Sequence, residues 1–250
     1  MNFELIELEP LTCEAYQTKE VLKILLHSII FQRALNEHKL CEGESELLDI
    51  SYVRCDSQAI SQRVEEYAEA LSSALERSFF PTAKGAGAGA AAKPPAVAVA
   101  PMKICVAFVE RRNRPGAFGL FRGEEKVIWE RWHMSLAVRA PEAPPTDASR
   151  LGLVSQGPRD RSASEIEARQ RQQLQLSEEL RARLEVILTK ASSRKEHIPP
   201  VDGLGGGDCN WFEVTSESES WGGGLGDLMK FARRLGDTIA TSSGGAGALP

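Results

Sequence analysis

At 250 residues, with 42% hydrophobic and 26% charged side chains, the chain has the length for one core or at most two and the composition of a soluble globular protein. A formal net charge of −5 supplies no dominant basic footprint, which argues against non-specific nucleic-acid binding. Five cysteines (Cys13, Cys41, Cys55, Cys105 and Cys209) stand far apart with no C-x-x-C pair, which speaks against a disulfide framework and for a reducing compartment.

The N-terminal MNFELIELEP carries glutamates and no basic n-region, so it does not read as a secretory signal. Residues 3–8 alternate in the manner of a short strand. Thr12 is placed to cap a helix, although Ala15 stands where the acid of a capping box belongs. From Tyr16 to about Leu35, the residues Val21, Leu22, Leu25, Ile29 and Leu35 recur at helical spacing, and Leu26, Ile30 and Phe31 widen the stripe into that of a central helix. The longest apolar run of this segment, VLKILLHSIIF, is interrupted by Lys23 and His27 and falls short of the ~20 residues that span a bilayer.

Residues 47–55, LLDISYVRC, have the β-branched and aromatic content of a strand. Asp56-Ser57 then opens a second amphipathic helix, with Ile60, Val64, Tyr67, Leu71 and Leu75 on one face and an end near Phe80-Pro81. Residues 82–100 are Ala, Gly and Pro with almost no bulky side chain, so burial does not offset their ordering entropy, and the stretch reads as a disordered insertion loop. Strands are expected at 102–110 and 126–138, forming a hairpin with a long tip. On the second strand Trp129 and Trp132 stand three apart, so strict alternation places one in the core and leaves the other partly exposed. A long helix follows over 164–192, with Leu176, Leu180, Leu184 and Ile187 as its apolar stripe, and HIPPV stops it because residues before proline avoid helical dihedrals. A strand at 208–215 and a last helix bearing Leu225, Leu228, Met229, Ala232, Leu235 and Ile239 complete the pattern, and residues 241–250 read as a disordered tail. A hairpin in the middle and no sustained βαβ rhythm favour an α+β fold.

No catalytic constellation emerges. His27 lies in the most apolar helix and reads as a core histidine. His38 and Cys41 have the spacing of two zinc ligands, but neither Cys13 nor Cys55 has a paired neighbour to complete a site of four. DGLGGGD at 202–208 precedes a strand and lacks a Gly-Lys-Ser/Thr ending, unlike a phosphate loop. Glu65-Glu66 and Glu178-Glu179 fall on faces predicted to be solvated. The basic clusters RRNR and ARRL are short and flanked by acids. Binding is left, and it directs attention to the hairpin tip, where Phe118 and Phe121 stand among glycines. Two rings there make a poor core but suit an anchor in a partner pocket, since a buried aromatic carries about 2 kcal/mol of binding.

In order along the chain, KEVLKILLHSIIFQRAL, ISYVR, MKICVAFVERR, IWERW, HIPPV, WFEVT and LMKFARRLGDT resemble the autophagy-related protein 101 family over about residues 3–240, apart from the 82–100 insertion. The resemblance implies a single HORMA domain over 1–240, an α+β fold with three main helices, at 16–35, 57–79 and 164–192, packed on a β-sheet. It implies no catalysis and no cofactor. It implies a cytoplasmic adaptor of the autophagy-initiation kinase complex, recruited to the phagophore assembly site without direct membrane insertion. Such an adaptor forms a heterodimer with the HORMA domain of autophagy-related protein 13, stabilises it and recruits downstream factors. The family's recruiting loop exposes a tryptophan and a phenylalanine. Here no Trp-Pro-Phe triplet stands between the two strands, and the resemblance transfers the role to Phe118 and Phe121. The exposed side of the 164–192 helix and the ISYVR strand are candidate dimer faces. The alternative is a peptide-binding HORMA protein of checkpoint or meiotic type, whose C-terminal belt requires more β-forming sequence than residues 202–250 offer.

Overall fold

The computed structural model describes residues 3–34, 39–79, 99–115, 122–140, 163–199 and 211–217. The phenylalanines of the tip, the low-complexity stretch up to residue 98, His38, Cys209, the glycine run at 202–208 and the expected last helix lie outside them.

Strands β1 (Glu4–Glu7) and β2 (Leu11–Glu14) lead through a 3-10 turn (Ala15–Gln17) into helix α1 (Thr18–Phe31). Thr12 is not a cap: it sits in β2, paired with Ala137. The helix entry is held instead by Gln17, whose Oε1 accepts the Glu14 N–H at 3.0 Å. Next come β3 (Leu40–Ser45), β4 (Ile50–Cys55) and α2 (Gln58–Phe79), then β5 (Val99–Pro115), β6 (Arg122–Arg139), α3 (Ala163–Ser193) and β7 (Phe212–Glu217). The stretch expected as an insertion loop therefore gives up Val99 and Ala100 to β5, where they pair with Arg139 and Val138.

The main sheet runs β1-β6-β5-β7, with β2 following β1 along the same edge of β6. β1 and β2 both run parallel to β6, so residues 4–14 act as one edge strand broken at Leu8–Pro10. β5 and β6 are antiparallel over their whole length, and β7 pairs antiparallel with residues 103–108 of β5. α1, α2 and α3 share one hydrophobic cluster with Met102, Ile104, Val106 and Phe108 of β5 and with Trp132, Met134, Leu136 and Val138 of β6. Leu176, Leu180 and Ile187 of α3 are buried in it, as their spacing predicts.

Both tryptophans of β6 are buried, against the expectation from alternation: Trp129 is 6% exposed and Trp132 is 0% exposed. The register explains it. Phe108 pairs with Glu130 but Val109 pairs with Ile128, so β6 holds one extra residue, Trp129, at a bulge. A bulge breaks the strict period of two and re-aims a side chain. Trp129 thereby reaches the helix side, where its ring lies 5.5 Å from that of Phe108 and 5.8 Å from that of His197.

Directly after the bulge, Glu130 stands wholly buried. Arg33, 2% exposed just beyond α1, grips its carboxylate through Nε at 2.9 and 3.0 Å and through Nη2 at 2.9 Å. Trp132 Nε1 donates to the same carboxylate, and His197 Nε2 lies within hydrogen-bond distance of it. Arg33 spends its remaining donors on the carbonyls of Ala191 (3.2 Å), Gln32 (3.3 Å) and Arg194 (3.4 Å). One buried ion pair thus joins the end of α1, the sheet, the end of α3 and the turn after it. Breaking such a pair costs more than the pair is worth, because it strands the other charge out of water. Glu130→Gln is expected to lower stability by about 3–5 kcal/mol, read as a reduced midpoint in urea unfolding.

Candidate interaction surface

Three outward features are built from the described residues. The first is an arm. Among the described residues, beyond Val109 and Ile128 β5 and β6 pair only with each other, because β7 stops opposite Phe108 and β1 begins opposite Glu130. The ladder continues to Pro115 and Arg122, so a two-stranded ribbon extends roughly 20 Å past the four-stranded part of the sheet at ~3.3 Å per residue. Its outermost described pair is Pro115 with Arg122, and residues 116–121, which include Phe118 and Phe121, lie outside the described residues. Arg112 is tied to Glu110 at 2.8 Å, and Lys126 is tied to Glu213 at the root of the arm.

The second feature is the β3–β4 hairpin, a two-stranded sheet of its own. The sequence reading placed ISYVR in a strand but missed β3, whose LCEGES carries little β-branched or aromatic content. Gly43 sits opposite Tyr52, and a Cβ there would fall 2.6 Å from the tyrosine Cζ, so only glycine admits the ring across the strand. The tyrosine ring in turn stacks on His27 of α1, with centroids 5.9 Å apart. At the turn, Asp49 adopts φ 50°, a left-handed conformation that a short polar side chain tolerates. Three side chains at successive turns of α3 fasten this loop: Gln173 donates to Leu47 O, Ser177 to Leu48 O at 2.6 Å and Arg181 to Asp49 O at 2.6 Å. Among the described residues no strand occupies the far edge of β4.

The third feature is the outer side of α3. Leu174, Arg181 and Leu188 stand seven apart and so share one face, and the two leucines are 64% and 54% exposed. The hairpin turn borders this face through Arg181, which donates to Asp49 O.

Among the described residues no group of three or more His, Cys, Asp or Glu is placed to hold a metal. Burial pushes the Cys13 thiol up to about 11, away from the reactive thiolate, with Thr18 Oγ1 3.7 Å away. Glu65 is taken up by Lys19 and Lys23 across the α1–α2 groove, at 2.7 and 3.2 Å. No described helix is long and apolar enough to cross a membrane.

An α+β body carrying an arm, an open-edged hairpin and an apolar helix face belongs to the class of proteins that work by contact with other proteins. The family model described as Autophagy-related protein 101 matches residues 10–203. Autophagy-related protein 101 of Arabidopsis thaliana is 28% identical over 221 residues, which cover 88% of this chain and 90% of that protein. The chain belongs to the autophagy-related protein 101 family, and its role is in autophagy.

Buried beneath the hairpin, His27 has a pKa lowered from 6.5 to about 4, first by desolvation and then by the charges of Arg54 and Lys23. The unfolded chain therefore binds a proton between these values that the folded chain refuses. Stability contributed by the neutral ring is complete above pH 6.5 and falls as the pH drops toward 4, by at most about 3 kcal/mol. Unfolding free energies measured across this window are expected to decline less steeply for His27→Phe, which keeps a ring against Tyr52 and does not titrate.

Proposed function

We propose that the chain is a non-catalytic, cytoplasmic adaptor of HORMA type in autophagy initiation. It forms a heterodimer with the HORMA domain of autophagy-related protein 13, stabilises it within the initiation kinase complex, and recruits downstream factors at the phagophore assembly site. The observation that carries this reading is the arm, which among the described residues continues past every neighbouring strand, in the stretch of sequence that leads up to Phe118 and Phe121. A ribbon kept clear of the core is a costly way to bury two rings and a direct way to offer them to a partner. Membership of the autophagy-related protein 101 family supports the pathway.

Dimerisation is assigned to the surface formed by the hairpin edge and the Leu174–Leu188 face of α3. The hairpin offers backbone for strand pairing and the helix offers apolar area. Pinning by Gln173, Ser177 and Arg181 holds the two in fixed relation, which reduces the ordering cost of association.

Co-expression with the HORMA domain of autophagy-related protein 13 from the same organism is expected to give a one-to-one complex that co-elutes. Phe118→Ala/Phe121→Ala is expected to leave that complex intact and to abolish recruitment of downstream factors in cells. A chain that elutes alone, or a double variant that recruits normally, contradicts the corresponding half of the proposal.

A further inference from the structure

The three helices pack on one face of the main sheet, where they share a cluster with Met102, Ile104, Val106 and Phe108 of β5. Alternation along β5 turns Lys103, Cys105, Ala107 and Val109 to the opposite face. The last three do not belong to the helix-side cluster, yet Cys105 and Ala107 are each 7% exposed and Val109 is 1% exposed. Beside them across the ladder stand Arg131 and His133 on β6 and Glu213 and Thr215 on β7. Arg131 holds its Nε out of water with no hydrogen-bond partner among the described residues, a second sign that this face is covered.

The face has the form of a trough. β5 contributes small side chains at Cys105 and Ala107, and the strands beside it contribute longer ones, Arg131 and His133 on one side and Glu213 on the other. The charges around the trough are of both signs: Glu7 and Glu213 stand with Lys103 and Arg131, and Glu213 is paired with Lys126. A small-residue floor between mixed charges suits the apolar stripe of an amphipathic helix and not an anionic polymer or a lipid headgroup.

We propose that the chain's own C-terminal segment, residues 225–239, seats as a helix in this trough and gives the sheet helices on both faces. The segment lies outside the described residues, and its sequence places Leu225, Leu228, Met229, Ala232, Leu235 and Ile239 on one helical face. That stripe is about 21 Å long at ~1.5 Å per residue, and β5 from Lys103 to Val109 runs about 20 Å at ~3.3 Å per residue. The tether favours this occupant over a separate molecule. β7 is the neighbour of β5, and its last residue, Glu217, is in register with Lys103 at one end of the trough. Residues 218–224, with glycine at 222, 223 and 224, reach up to ~23 Å, more than the one strand spacing of ~4.8 Å and the ~10 Å of one packed layer that they must cross. A segment tied this closely meets the trough at high effective concentration. Its seating withdraws this face from partners and leaves them the arm, the hairpin edge and the outer side of α3. The proposal goes beyond the adaptor reading and does not depend on it.

Cys105 lies in the trough, so its alkylation reports the cover. The test is iodoacetamide labelling of the full chain, followed cysteine by cysteine by mass spectrometry. Cys105 is expected to react slowly, at a rate independent of protein concentration. Leu228→Asp/Leu235→Asp is expected to speed that reaction on the order of tenfold or more, while Cys13 and Cys55, buried in the helix-side cluster, keep their slow rates. Fast labelling of Cys105 in the unaltered chain, or labelling that the double variant leaves unchanged, overturns the proposal. Protection that is lost on dilution assigns the cover to a second copy and equally overturns it. If Cys13 and Cys55 speed up as well, the variant has unfolded, and amide hydrogen exchange on the unaltered chain decides. Protection of residues 225–239 is then the expected result, and its absence overturns the proposal.

Discussion

A carboxylate without access to water organises this fold. Glu130 is stable as a buried group only because Arg33, Trp132 and His197 all direct donors or a ring nitrogen at it. Each of those groups belongs to a different part of the chain: the turn after α1, the strand itself and the turn after α3. Desolvation makes the arrangement demanding, because displacing any one contributor leaves charge or polarity uncompensated. The extra contacts from Arg33 to the carbonyls of Ala191 and Arg194 extend the same constraint to the end of a helix whose free carbonyls need partners. Beside the pair, the bulge at Trp129 ends the four-stranded part of the sheet and starts the arm. Body and arm therefore meet beside this buried polar cluster.

A second restraint positions the hairpin. Leu48 is fully buried at its turn, Tyr52 lies over Gly43 and against His27, and α3 holds three consecutive carbonyls of the turn. None of these contacts is strong alone, but together they fix an open strand edge beside an apolar helix face. The proposed dimerisation through such a surface would require little rearrangement of this chain.

The sequence made the helices and the β5–β6 hairpin legible because their apolar residues repeat with the period of the element that buries them. Val21 to Ile30, Ile60 to Leu75 and Leu176 to Ile187 all fall in the core. β3 was not legible, since LCEGES lacks the side chains that favour strands and owes its pairing to one glycine beneath a tyrosine. Thr12 looked like a cap because a cap and an edge strand both admit threonine, and pairing with β6 decided between them. The burial of both tryptophans was hidden by the bulge, a one-residue insertion that periodicity cannot register. Arg33, Glu130 and His197 are separated by so many positions that no local pattern links them. Their only trace was indirect: HIPPV was read as a helix stop, and its histidine proves to be part of the central polar cluster.

The chain combines a tightly cross-linked body with a ribbon released from it, in a family whose role is autophagy. That separation suits the proposed adaptor: a rigid surface for the proposed dimer partner, and an extended element for the proposed later contacts. Amide hydrogen exchange on the chain alone tests the separation most directly, because it reads the opening of each ladder segment. The account predicts slow exchange for residues 103–108 and 130–138, and markedly faster exchange for 109–115 and 122–128 although both sets are hydrogen-bonded in the same two strands. Equal protection along the full length of β5 and β6 would show that the arm is part of the body, and would contradict the account.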